Sequence, residues 1–212
     1  MSEPILRKAT PQDALALAEL MDQAGEGIPG WLWALDAQNG QSAIDVGMVR
    51  ARRDTGGFSY VNATVLVSSD AVAGMLLAYR LAEEFDLEKE LQGVPDFLVP
   101  LVELECLAPG SFYINAIAVY PEHRSKGFGS ILITEAERQA REQGADALSL
   151  IAFEGNTGAV RLYQRLGFAI SASRPVVAHE STAHTGNELL MIRQISETPD
   201  KQKRTAVARG AH

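Results

Sequence analysis

The sequence predicts an α/β fold, a mixed central sheet with helices on both faces. Three observations point there. Apolar runs of β type alternate with stretches of helical periodicity along most of the chain. An apolar strand, SFYINAIAVY, runs through PEHRSKGFGS straight into an amphipathic helix. The 212 residues, 46% hydrophobic and 22% charged, also carry enough apolar surface for a sizeable core.

The elements follow in order. Ile5–Ala9 reads as a short first strand. In TPQDALALAELMDQAG, Thr10 is an N-cap, Pro11 takes the first helical position, and Leu15, Ala18 and Met21 form the apolar stripe. Gly25 to Gly30 breaks the pattern, and WLWALD follows without an assignment of its own. SAIDVGMVRARRD is a second helix with a basic end, closed by Gly56 and Gly57. ATVLVSSDAVAGMLLAYRL gives two β runs joined at Ser69-Asp70 as a hairpin.

Residues 82–110 are the least regular part and read as an insertion. They hold an acidic helical stretch, AEEFDLEKEL, a break at Gly93-Val94-Pro95, and then DFLVPLVELECLAPG. After the strand and its glycine turn, a helix from about Gly127 to Gln143 stacks Phe128, Leu132, Ala136 and Ala140 on one face, with Gly144 as its stop. ALSLIAF is a buried strand, NTGAVRLYQRLGF a helix from Asn156 to Gly167, and FAISASRPVV and NELLMIRQI two late strands. The expectation is one domain over 1–195 and a polar, disordered tail over 196–212.

Lys plus Arg number 19 against 27 Asp plus Glu, a formal charge of −8. An acidic chain is a poor partner for nucleic acid or an anionic membrane, whose phosphates reward positive charge. It suits a cationic partner such as an amine. The single cysteine, Cys106, excludes an intrachain disulfide. The N-terminal residues lack the apolar core of a signal peptide and no apolar run approaches the ~18 residues of a membrane span, so a cytoplasmic protein is expected. His179 and His184 in HESTAH stand five apart, not the four of the zinc motif H-E-x-x-H, and no metal is expected.

Glycines at a strand-to-helix junction let main-chain N–H groups crowd around a phosphate. A Walker loop requires a Lys-Ser/Thr pair, absent here, and the third glycine of a dinucleotide fingerprint would fall on Leu132. What remains is Arg124-Ser125-Lys126-Gly127-Phe128-Gly129, preceded by Ile117-Ala118-Val119-Tyr120-Pro121. With Asn156, Ala159, Leu162-Tyr163 and Gly167-Phe168 further on, these residues resemble the two signature motifs of the GNAT superfamily of acyl-CoA-dependent N-acetyltransferases. The resemblance covers roughly residues 111–170.

The resemblance implies a GNAT-like sheet whose strands splay at the acyl-CoA site, with acetyl-CoA as the cosubstrate. Ile117, Ala118 and Val119 would pair with its pantetheine arm, and Arg124, Ser125, Lys126, Gly127, Phe128, Gly129 and Ser130 would hold its pyrophosphate. Asn156 would touch the arm or simply cap its helix. Tyr163 would protonate the leaving thiolate, or else pack as an interior aromatic. For the base the candidates are Glu103 and Glu105 in VELEC, which share a face only if that segment is a strand. Trp31 and Trp33, with the two glutamates, would border the acceptor, either as an aromatic wall or as core. The expected activity is direct transfer of acetyl to a small-molecule primary amine. The alternatives are a non-catalytic acyl-CoA-binding regulator and an enzyme acting on a protein amine. A homodimer comes with the resemblance as an expectation only.

Overall fold

The computed structural model of the chain describes residues 3–195. The tail expectation over 196–212 lies outside them. Seven strands form one sheet: β1 (Ile5–Lys8), β2 (Ala63–Ser68), β3 (Ala71–Arg80), β4 (Phe112–Val119), β5 (Ala147–Phe153), β6 (Ala169–Pro175) and β7 (Asn187–Gln194). Their spatial order is β1-β2-β3-β4-β5-β7-β6, and every neighbouring pair is antiparallel except β4 with β5. The helices are α1 (Ala14–Ala24), α2 (Ile28–Asp36), α3 (Ala43–Ala51), α4 (Leu87–Glu90), α5 (Val99–Cys106), α6 (Phe128–Glu142) and α7 (Thr157–Arg165).

Local chemistry explains most boundaries. Thr10 and Asp13 form a capping box, and Arg7 grips both Asp13 oxygens at 2.8 Å. That hydrogen-bonded pairing, with the Thr10 bonds, outweighs partial burial and holds the Asp13 carboxyl at about 2. Ser69 and Asp70 both adopt the left-handed conformation, φ 52° and 63°, the geometry of a tight two-residue hairpin turn.

One expectation needs correction, and two stretches left open receive an assignment. The buried stripe of α1 is Ala14, Leu17, Ala18 and Leu20, whereas Leu15 is exposed. The helix is entered through a tighter 3-10 turn, Pro11–Asp13, which shifts its phase. WLWALD belongs to α2, where Pro29 sits in the first turn and its missing N–H costs nothing. VELEC lies in α5, so Glu103 and Glu105 point to different sides of a helix.

The sheet is covered on both faces. On one, α6 and α7 bury Leu132, Ile133, Ala136 and Tyr163 against Phe112, Ile114, Leu148 and Leu150. On the other, α1 and α3 pack Leu17, Leu20 and Ala51 on Val65, Met75 and Leu77, and further along α5 packs Leu104 on Tyr113 and Leu190. Each fully buried Leu or Phe here contributes roughly 1.5–3 kcal/mol through apolar area removed from water.

The feature that positions the site is in β4. Ile114 pairs with Ala78 and Ala116 with Leu77, leaving Asn115 as one extra residue, a β-bulge. The parallel ladder to β5 covers only Phe112–Ile114 against Leu148–Leu150. Beyond that point β4 pairs with β3 alone and β5 with β7 alone. The strands part at Asn115.

Candidate active site at the parted strands

A cavity of about 840 Å³ occupies the gap. Its floor is the free edge of β4 at Ile117, Ala118 and Val119. The Tyr120 N–H donates to the Ala73 carbonyl on β3, so strand alternation turns the Val119 amide the other way, toward the gap. The Val119 carbonyl accepts from Gln23 Nε2 at 3.0 Å and Arg124 Nε at 3.3 Å.

One end of the cavity is the glycine turn. Ser125 (φ 60°) and Gly127 (φ 81°) are left-handed, a backbone alternation that aims successive N–H groups at one point. Gly127 is the N-cap of α6, whose first N–H groups have no intrahelical acceptor. A Cβ at Gly127 would meet nothing within 4 Å, because the space ahead of the helix is open. Arg124 belongs to this turn, and Arg165, from the last turn of α7, also lines the cavity. Unpaired amides, a helix N-terminus and the Arg124 guanidinium fit an anion, despite the acidic surface elsewhere. Lys126 is the exception among the expected residues: it lies outside the lining, with Nζ 3.4 Å from His123 Nδ1.

The opposite wall is α7. Tyr163 lines the cavity, is 9% exposed, and has its phenol pushed up to about 12 by burial. It therefore keeps its proton at neutral pH. Asn156 Oδ1 accepts from the Ala159 N–H at 3.1 Å, so it does cap the helix, while its Nδ2 donates to Glu26 Oε1 at 2.8 Å. Glu26 also meets His184 Nε2. This contact ties the α1–α2 turn, the β5–α7 turn and the β6–β7 loop together at the cavity rim. No local pattern announces it, since Glu26 and His184 are 158 positions apart.

The expected acceptor residues are dispersed. Trp33 is 3% exposed, stacked on Phe58 and pressed against Gly47, where an added Cβ would fall 2.5 Å from the ring. It is core and cannot wall a substrate. Trp31 donates to Glu180 at 3.0 Å and meets Phe97 and His179 edge-on. Glu103 is held by Arg174 at 2.6 Å and lines a separate cleft of about 300 Å³ with Phe85 and Cys106. Glu105 has its carboxyl raised to about 7, first by burial and then by the charge of Glu90. Glu188, absent from the sequence expectations, is 3% exposed and raised to about 7 by burial. One glutamate in a β run carries no distinguishing signal.

Known proteins align with this picture. Residues 48–168, more than half of the chain, match the family model described as Acetyltransferase (GNAT) family. Streptothricin acetyltransferase from Streptomyces lavendulae is 38% identical over 77 residues, 36% of this chain and 40% of that protein. L-ornithine N5-acetyltransferase from Arabidopsis thaliana is 34% identical over 61 residues, 29% and 27% of the two. The chain thus spans well under half the length of these relatives. Among solved structures, a polyamine N-acetyltransferase from Drosophila melanogaster superposes with a TM-score of 0.61 at 13% identity, covering 91% of this chain and 100% of the other. The Salmonella typhimurium protein yncA, solved with its cofactor acetyl-CoA, gives 0.57 at 17% identity over 93% and 96%. At these identities the superpositions speak for the fold. The parted strands, the glycine turn and the family match lead to one conclusion: the chain belongs to the GNAT family of acetyltransferases.

Proposed function

We propose that the protein is an acetyl-CoA-dependent N-acetyltransferase, moving acetyl to a primary amine by direct transfer with both substrates bound. One observation carries this reading. A single cavity combines a free strand edge, a left-handed glycine turn on a helix N-terminus, and a buried, protonated tyrosine. Names among the relatives, streptothricin and L-ornithine acetyltransferase, support an amine acceptor.

The residues suit the proposed roles. Acetyl-CoA, when bound, supplies the thioester. The Gly127 turn with Arg124 would hold its pyrophosphate, and the β4 edge from Ile117 to Val119 would hold its amide-bearing arm. The gap-facing Val119 amide can donate to a carbonyl oxygen as negative charge grows on it. Tyr163 holds the proton that a departing sulfur takes up.

The test is an amine panel with acetyl-CoA, following thiol release, on the wild type and Tyr163→Phe. Turnover is expected, with kcat lowered about 100-fold in the variant and coenzyme A affinity by calorimetry unchanged. Tight coenzyme A binding without turnover of any amine would favour a regulatory binder or a protein acceptor. Equal kcat in both proteins would reduce Tyr163 to packing.

A further inference from the structure

On the sheet face opposite α6 and α7, one group is left without a partner. The Glu188 carboxylate on β7 is buried, and its Oε2 has no hydrogen-bond partner among the described residues. Natural structures rarely leave a buried ionisable oxygen unpaired, because its lost hydration is not replaced. Its register neighbour Arg174 on β6 would be the obvious counter-ion. Arg174 instead pairs with Glu103 on α5. The carboxylate is left over by the fold.

Its surroundings describe what is missing. Strand alternation puts Glu188 on the side of Leu190, which packs with Leu104 and Tyr113. The Tyr113 phenol is raised first by burial and then by the charges of Glu105, Tyr79 and Glu188. Tyr79 packs edge-on against Tyr113, ring centroids 6.0 Å apart. Tyr113 stands on β4 two residues before the bulge at Asn115, where β4 and β5 part. On its other flank Glu188 is in register with Phe153, whose ring stacks on His184 at the rim of the cavity. Two acids and two aromatic rings, with the Arg174 guanidinium committed to Glu103, suit a cation.

We infer that Glu188, with Glu105, Tyr79 and Tyr113 about it, receives the ammonium group of a small aliphatic primary amine, and that Glu188 accepts its proton. This rests on the acetyltransferase reading. The ammonium nitrogen gives one proton to the Glu188 carboxylate, and the free electron pair then forms the N–C bond as the C–S bond breaks. The nitrogen's second proton balances the one Tyr163 gives to sulfur, and Glu188 returns its proton to solvent. The charged and titratable groups bearing on this exchange are Glu105 on α5, Glu90 on α4, Tyr113 on β4, Tyr79 on β3 and the Arg174–Glu103 pair.

The experiment compares wild type with Glu188→Gln, which keeps the shape and removes the charge. Probes are 1,4-diaminobutane and n-butylamine, with aniline as an amine that is neutral at pH 7. For the two aliphatic amines kcat/KM should fall about 100-fold in Glu188→Gln. The loss should shrink as pH rises and the amine deprotonates in bulk water. Coenzyme A affinity should hold and the thermal melt should stay at or above that of wild type. An active wild type with the same kcat/KM and pH profile in Glu188→Gln would overturn the inference alone. A wild type that favours aniline over both aliphatic amines would do the same. A wild type that binds coenzyme A but acetylates none of the three would overturn the enzymatic reading and this inference with it.

Discussion

The two sides of the parted strands are built differently. On the glycine-turn side, Val119, Ser125, Gly127 and the start of α6 work through the main chain, and they are contiguous. On the other side, Glu105, Glu188, Tyr79 and Tyr113 work through side chains drawn from α5 and three different strands. The difference follows from the ligands proposed for each. An anion is well served by amides, which any sequence supplies once glycine sets the backbone. A cation is better served by carboxylates and rings, which must be placed one at a time.

The contrast can be pressed from its largest effect downward. Glu188→Gln should raise stability by about 3 kcal/mol at pH 8, the worth of a shift from an ordinary carboxyl near 4.5 to about 7. The folded protein holds this proton through that window while the unfolded chain has lost it. Wild-type stability from this group is therefore full below about pH 4.5 and declines as pH rises to 7. The advantage of the variant should vanish near pH 4.5, as denaturant melts at the two pH values would read. Equal gains at both pH values would mean that ionisation is not the cause.

Gly127→Val tests the other side. A branched residue at φ 81° costs about 1–3 kcal/mol of strain, and its side chain would project into the open space ahead of α6. Coenzyme A affinity should drop roughly tenfold or more, with little change in the relative preference among amines. A change of preference instead would break the division between the sides. The smallest effect expected is from Asn156→Ala, about 1 kcal/mol of stability from the lost cap. The Glu26 contact goes with it, so faster amide exchange should appear in the α1–α2 turn.

The same division decides what can be read from the chain. β4, the turn, α6, β5 and α7 are legible because their functions sit within a few residues of one another. Leu15 misled, and WLWALD and VELEC stayed open, for local reasons. A 3-10 entry shifts a helical phase, a proline inside Gly25–Gly30 looks like a break although it begins a helix, and five residues fit two periodicities. Glu188, Glu26 and His184 are a separate case. Their meaning depends on which strands become neighbours, and the order β5-β7-β6 is not written in any single segment.

The bulge at Asn115 has an effect that concerns heredity more than energy. β4 carries its inward residues in two phases, Phe112 and Ile114 before the bulge, Ile117 and Val119 after it, all toward α6 and α7. The opening of the sheet is thus encoded by a residue count. Point substitutions along β4 leave that count intact, whatever they do to packing. Removing one codon between Ile114 and Ile117 would take out the extra residue, leave Ile117 and Val119 facing α6 in plain alternation, and let the ladder to β5 continue. The gap is guarded against drift by single-base changes and exposed to a three-base deletion.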